Sequence, residues 1–153
     1  MDQSPKFARE SVAELSELMM PSHANMLGTV FGGVILQLMD KAAYVSSSRH
    51  AGVPCVTASF DRVDFVSPIR VGELVTLRAS VHFAGRTSME VGVSVIAEDF
   101  MTGAKREAFR GRCTMVAVEN GKPQLVRPLV PETPSEREMY AEAEKRYLAR
   151  RRS

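Results

Sequence analysis

The sequence predicts an α+β domain in which one long apolar helix faces an antiparallel sheet. Three observations carry this. Val34, Ile35, Leu38, Met39, Ala42 and Val45 recur at spacings of one, three and four, the face of an α-helix, over a run too long for a typical strand. Later segments alternate apolar and polar residues, the period of strands with one buried face. Turn signals join those segments as a meander, which suits antiparallel pairing. A chain of 153 residues fits one domain with a real core. The core is expected over about residues 11–120, with an extension and a last helix over about 121–153.

The elements follow in order. In Ser11 to Met20, Ala13, Leu15 and Met19 alternate loosely with Glu14, Ser16 and Leu18, which reads as a first strand stopped by Pro21. Ser22 to Phe31 is a loop of small and polar residues. Gly32-Gly33 turns the chain into the helix, expected to begin near Val34 and to stop near His50, before Gly52 and Pro54. Val56 to Phe65 reads as a strand that changes phase: Val56, Ala58 and Phe60 share one face, Val63 and Phe65 the other. A bulge near Asp61-Arg62 reconciles the halves.

Pro68 and Gly72 make a turn. Val75, Leu77, Ala79, Val81 and Phe83 then alternate with Thr76, Arg78, Ser80 and His82, the clearest strand in the chain. Gly85-Arg86-Thr87 turns it back into a hairpin partner, in which Met89, Val91, Val93, Val95 and Ala97 alternate with smaller and polar residues. After a turn at Thr102-Gly103, Ala108 to Val118 is a further strand, apolar enough at its end to be central. Pro128, Pro131 and Pro134 keep the next segment extended. Ser135 with Glu138 resembles a capping box opening a last helix, Glu136 to Arg150. Its apolar stripe of Met139, Ala143 and Tyr147 is narrow, so this helix is expected to be peripheral, its charges a solvated face.

Composition narrows the function. Apolar residues make up 44% and charged residues 25%, an ordinary soluble mix. A net charge of +2 gives no footprint for nucleic acid. No apolar run approaches the roughly 20 residues that span a membrane. The N-terminus, MDQSPKFARE, has no apolar signal core, so a cytoplasmic protein is expected. Cys55 and Cys113, with no export signal and no close His partner, suggest reduced thiols with neither disulfide nor zinc site. A single sheet buries the helix on one side only. The helix flanks and the sheet edge are therefore expected to meet a second copy, in a homodimer joined edge to edge.

Asp40 needs an explanation, because it falls between the apolar face and the polar stripe of Gln37, Lys41 and Ser48. One reading is a boundary carboxylate paired with a nearby Lys or Arg. The other is a semi-buried carboxylate available as a general base. Gly32-Gly33 likewise reads as a tight turn, or as a helix N-terminus whose unpaired amides face a ligand. His23 is a rival base, since His titrates near neutrality.

The stretch from Asn25 to Asp40, N-M-L-G-x-V-F-G-G-x-x-L-x-x-M-D, is followed by D-R-V-D-F-x-S-P-I from Asp61 and G-R-T-S-M-E-V from Gly85. This combination resembles the hotdog-fold acyl-CoA thioesterases, most closely the cytosolic hydrolases of the brain acyl-CoA hydrolase type and their short bacterial relatives. The likeness covers roughly Leu15 to Val118. It implies a hotdog fold, a long central helix wrapped by an antiparallel sheet, and hydrolysis of an acyl-CoA to free acid and coenzyme A. It implies no cofactor, coenzyme A being part of the substrate. Asn25 and Asp40 match the family's catalytic pair, shared between two hotdog units, and dimers in that family commonly assemble as trimers of dimers. Thr29 stands where some relatives carry an acidic or amide residue, so chain-length preference does not carry over. His23 has no matching position.

Thioester hydrolysis needs an activated water, an oxyanion donor and a grip on coenzyme A. Asp40 supplies the first as general base, or attacks directly to give a mixed anhydride. Gly32 and Gly33 supply amide donors, each typically worth about 3–4 kcal/mol of barrier. Asn25 would hold the water or the carbonyl; its plainer role is an Asx turn. Thr57 and Ser59 are candidate water contacts. Arg62, at the expected bulge, and Arg86, Thr87 and Ser88, in the hairpin turn, are the candidate grip. Two rivals share the fold. A dehydratase wants a His paired with the carboxylate, and the helix has none before His50. A non-catalytic acyl-CoA sensor would usually carry a DNA-binding module, for which this chain has no room.

Overall fold

The computed structural model describes residues 2–152. Ala13–Leu18 (β2) follows a short strand Lys6–Phe7 (β1), and the central helix α1 runs from Gly32 to Ala51. Then come Cys55–Phe65 (β3), Leu74–Ala84 (β4), Ser88–Asp99 (β5) and Ala104–Glu119 (β6). Lys122–Pro123 (β7), Leu129–Val130 (β8) and the second helix, Pro134–Arg152 (α2), complete the chain. The main sheet has the order β2-β4-β5-β6-β3, with β7 folded back on β6, and every pairing in it is antiparallel. β6 is interior, as its apolar end implied, and β2 and β3 are the edges.

α1 lies against one face of this sheet. Ile35, Leu38, Met39 and Ala42 join Val75, Leu77, Val91, Val95, Cys113 and Met115 in a single core. Burying a side chain such as Ile35 or Leu38 stabilises the fold by about 2 kcal/mol. The close approach shows at Gly111, where a Cβ would stand 2.9 Å from the Met39 methyl. The helix begins at Gly32, two residues before the expected start, and Gly52 caps its end in a left-handed turn, donating to the Ser48 carbonyl at 2.8 Å. This helix in the hollow of an antiparallel sheet is the hotdog fold.

The phase change in β3 is real and is achieved twice. The ladder to β6 skips at Ala58 and again at Asp61, so Thr57 pairs with Met115 while Ser59 pairs with Thr114 and Arg62 with Arg112. The second bulge is the expected one; the first was not expected. Together they put Thr57 on the helix side and turn Ser59 and Arg62 to the other side.

α2 covers that other side. The expected capping box lies two residues earlier than Ser135 and Glu138. The Thr133 hydroxyl accepts from the Glu136 amide at 3.0 Å, and the Glu136 carboxylate accepts from the Thr133 amide at 3.4 Å. Pro134 then takes the first helical position, where its missing N–H costs nothing. One of the charges is not on a solvated face: Arg146 meets Glu90, a buried β5 side chain. Apolar side chains from beyond residues 11–120, Ala8, Val126 and Leu129, also join the core. The parallel β1–β8 ribbon ties both terminal segments over it.

Candidate active site

Asp40 sits in the middle of α1, half-buried, and accepts a short hydrogen bond from the Thr57 hydroxyl on β3. The bland reading of a boundary ion pair does not hold among the described residues, since no Lys or Arg is paired with it. A cavity of about 680 Å³ opens beside the two, lined by Leu15, Tyr44, Val45 and Val56 as well as Asp40 and Thr57. Its walls are largely apolar, suited to a hydrocarbon chain. Tyr44 was not foreseen here. It lies one helical turn beyond Asp40, a spacing of four that places both on one side of the helix.

Gly32 and Gly33 open α1, whose N-terminus has no side-chain cap. Their amides have no intrahelical acceptor and lie at the positive end of the helix dipole. A Cβ on Gly33 would meet nothing within 4 Å, whereas one on Gly32 would stand 2.8 Å from the Phe65 ring. An alanine at 32 would therefore push the Phe65 ring aside, whereas position 33 faces open space.

Asn25 makes the Asx turn. Its Oδ1 accepts from the amides of Leu27 and Thr29 at 2.8 and 3.2 Å, and its Nδ2 donates to the Thr29 hydroxyl at 2.9 Å. Its hydrogen bonds stay within this loop, and among the described residues none reaches Asp40. The turn leaves Met26 and Leu27 on the outside, both almost fully exposed. His23 has a local job too: its Nδ1 accepts the Met20 amide at 3.0 Å.

The remaining candidates separate. Ser59 donates to Asp61 at 2.7 Å and does not reach Asp40. Arg62 pairs with Asp64 at 3.2 Å and lines a second cleft, between α2 and the outer face of the sheet. Within one chain it is on the side of the sheet away from Asp40. The β4–β5 turn holds Arg86 and Thr87, and Ser88 opens β5 directly after it. The backbone of the turn is held at several points: the Gly85 amide donates to the Ser88 carbonyl (2.8 Å), Ala117 to Thr87 (3.0 Å) and Val126 to Arg86 (2.8 Å). The side chains of Arg86, Thr87 and Ser88 make no hydrogen bond among the described residues, so they remain available to a ligand.

Comparison with known proteins agrees with this fold. The family model of the thioesterase superfamily matches residues 27–104. A Bacillus subtilis protein named uncharacterized acyl-CoA thioester hydrolase YkhA is 40% identical over 132 residues, 86% of this chain and 77% of that protein. A structure described as an apo-hexameric acyl-CoA thioesterase matches with a TM-score of 0.93 at 37% identity, covering 97% of this chain and 96% of that one. An acyl-CoA hydrolase from Staphylococcus aureus, in complex with butyryl coenzyme A, coenzyme A and coenzyme A disulfide, matches with a TM-score of 0.87 at 34% identity, covering 95% and 90%. Alanine variants of that hydrolase at an aspartate, an asparagine and a threonine have also been solved. This chain belongs to the thioesterase superfamily.

Proposed function

We propose that the protein hydrolyses fatty acyl-CoA to free fatty acid and coenzyme A. The observation that carries this is the Asp40–Thr57 pair beside a largely apolar cavity. Thr57 occupies one carboxylate oxygen of Asp40 and the other is left to accept a proton from water. Support comes from the Staphylococcus aureus hydrolase. The asparagine, aspartate and threonine replaced in its variants are separated by the same sequence intervals as Asn25, Asp40 and Thr57.

In this reading Asp40 takes a proton from water as the oxygen attacks the thioester carbon. The developing oxyanion is met by the Gly32 and Gly33 amides, with the Asn25 amide polarising the carbonyl. The C–S bond then breaks, and the coenzyme A thiolate takes the proton back from Asp40. Direct attack by Asp40 uses the same residues through an anhydride. In a single turnover in ¹⁸O-water, label in the peptide carrying Asp40 identifies the anhydride route with water attacking the Asp40 carbonyl, since general-base catalysis puts the label in the fatty acid alone. No cofactor or metal is called on.

Asn25 makes its hydrogen bonds within its own loop and none to Asp40 of the same chain, with one Nδ2 hydrogen left over for substrate, so we assign the pair to two chains, Asn25 of one protomer acting with Asp40 of its partner. Dimers form through the exposed β3 edge, where Val56 and Phe65 are half-exposed or more, and a trimer of dimers follows the hexameric relative. Arg86, Thr87 and Ser88 grip coenzyme A, and Arg62, facing away from its own Asp40, serves a neighbouring site. Two free thiols, Cys55 and Cys113, suit a reducing cytoplasm. The dehydratase reading is disfavoured by a specific contact: His50 is buried and its Nε2 is bonded to the Arg127 carbonyl at 2.8 Å.

Thiol release from acyl-CoAs of graded length, with wild type and Asp40→Asn side by side, tests the proposal. Release by the wild type, lowered at least about a hundredfold in Asp40→Asn, is the expected result. Tight binding of acyl-CoA without release points to a sensor. A 2-enoyl product without free thiol points to a dehydratase.

A further inference from the structure

We propose that the C-terminal helix is the positioning element of the coenzyme A grip, with Tyr147 fixing the backbone of the β4–β5 turn. This rests on the reading of Arg86, Thr87 and Ser88 as that grip. The tip of a hairpin is ordinarily its most mobile part. Here the helix clamps it. The Tyr147 hydroxyl accepts the Arg86 amide at 3.2 Å and is itself held by the Arg151 guanidinium at 3.0 Å. The hydroxyl end of the Tyr147 ring comes so close to the turn that a Cβ at Gly85 would stand 2.5 Å from Cε2. Gly85 has no left-handed φ to explain it; the ring is its reason. The same ring packs on Phe83 at 5.1 Å, and Phe83 on Tyr140 at 5.0 Å. One residue before Tyr147, Arg146 locks the helix to Glu90, two residues beyond Ser88.

The other side of the turn is tied as well, through the Arg86 and Thr87 carbonyls. The backbone is therefore fixed while the side chains of Arg86, Thr87 and Ser88 make no hydrogen bond among the described residues. That is preorganisation, in which ordering costs are met in folding and not in binding. The narrow apolar stripe on α2 thus has a function beyond covering the sheet.

The test compares one acyl group carried by coenzyme A and by pantetheine, which lacks the nucleotide. The quantity read is the ratio of the two KM values. Arg86→Ala is expected to raise it, through KM for the coenzyme A ester alone. Tyr147→Ala is expected to raise it about tenfold, with kcat changed less than about twofold. Gly85→Ala, which displaces the ring, is expected to do the same. Combining it with Tyr147→Ala adds nothing, as for two changes acting through one contact. Tyr147→Phe keeps the packed ring and carries the test if Tyr147→Ala does not fold; it is expected to raise the ratio and speed amide exchange at Arg86. A raised ratio in Arg86→Ala with wild-type ratios and wild-type Arg86 exchange in the Tyr147 variants overturns the helix's role alone. An unchanged ratio in Arg86→Ala removes the grip itself, and the inference with it.

Discussion

Arg146 on the last helix closes on the buried carboxylate of Glu90 with two parallel hydrogen bonds, 2.8 Å from Nε and 2.7 Å from Nη2. Glu90 is 1% exposed. Arg112 stands by with its Nε 4.0 Å away, beyond hydrogen-bond distance. The bidentate pair is thus what satisfies this carboxylate, and it joins the Phe83–Tyr140 and Phe83–Tyr147 ring contacts in holding α2 to the sheet.

Removing Arg146 therefore leaves a buried charge unmatched. Arg146→Met is expected to destabilise the protein by about 3 kcal/mol in urea unfolding, the lower end for a broken buried pair because Arg146 itself is partly exposed. Adding Glu90→Gln to Arg146→Met should recover part of the loss, since the stranded charge is gone. A loss under about 1 kcal/mol in the single variant would show that Arg112 moves in to replace the lost partner.

One buried histidine, His50, and one half-buried, His82, give stability a pH dependence. Burial holds the His50 and His82 pKa values below the ordinary 6.5; in His82 it outweighs the opposing attraction of Glu90, 3.9 Å away, so that contact is not an ion pair at neutral pH. The unfolded chain then binds more protons than the folded one just below pH 6.5, and stability falls as pH falls. The contribution is complete above 6.5 and is lost on the way down to the folded-state values, at no more than about 1.4 kcal/mol per group per pH unit. Glu73, whose pKa is lowered chiefly by its hydrogen bonds with Arg106, loses its contribution only as the pH drops through its folded value, below 4.5. Between about pH 6.5 and 5 the slope is therefore set by the histidines. His50→Gln is expected to flatten it, measured as midpoint of urea unfolding against pH.

Much of this was legible in the sequence because it is periodic. The α1 face, the β4–β5 hairpin and the bulge at Asp61 all follow from spacing alone. The bulge at Ala58 did not, because the Val56, Ala58 and Phe60 alternation runs through it without a break. One missed bulge was enough to turn Ser59 from Asp40 to Asp61. The Arg146–Glu90 pair joins residues far apart in sequence, and nothing local in α2 distinguishes Arg146 from its solvated neighbours. The cap at Thr133 was displaced by two residues because Ser135 and Thr133 both precede a glutamate by three. Proline at the position after Thr133 was the signal that decides between them.

Thr57 orients Asp40 through one hydroxyl, so Thr57→Val, which keeps the shape and removes the donor, isolates that bond. The expected outcome is a kcat lowered about ten- to a hundredfold with KM little changed. Thr57→Ser should restore most of the rate. A Thr57→Val enzyme with wild-type kcat would reduce the contact to packing.

The shared site can be read by mixing. Asn25→Ala and Asp40→Ala chains are each expected to be nearly inactive as homo-oligomers. Co-refolded, a heterodimer has one site with both residues intact and one with neither. Recovery of up to about half the specific activity per heterodimer is expected, scored against heterodimers isolated by two affinity tags. Confirmed heterodimers without recovery would place both residues of a site in one chain.

Gly32 and Gly33 differ in what a methyl group would meet, and this makes them separable. Gly32→Ala drives a Cβ to 2.8 Å from Phe65, whose ring is packed on Phe109 at 4.5 Å; the ring must move, so stability is expected to fall. Gly33→Ala meets only open space. Alanine is the better helix former, by about 0.5–1 kcal/mol in a helix interior and less in the first turn, so Gly33→Ala is expected to raise stability by up to about 0.5 kcal/mol. If the amide at 33 receives the thioester oxygen, the same methyl group intrudes where the carbonyl must approach. A more stable enzyme with a kcat lowered about tenfold or more is then the outcome, an oxyanion donor being compromised without loss of fold. Raised stability with unchanged kcat would move the oxyanion site off Gly33 and leave the glycine as a turn residue.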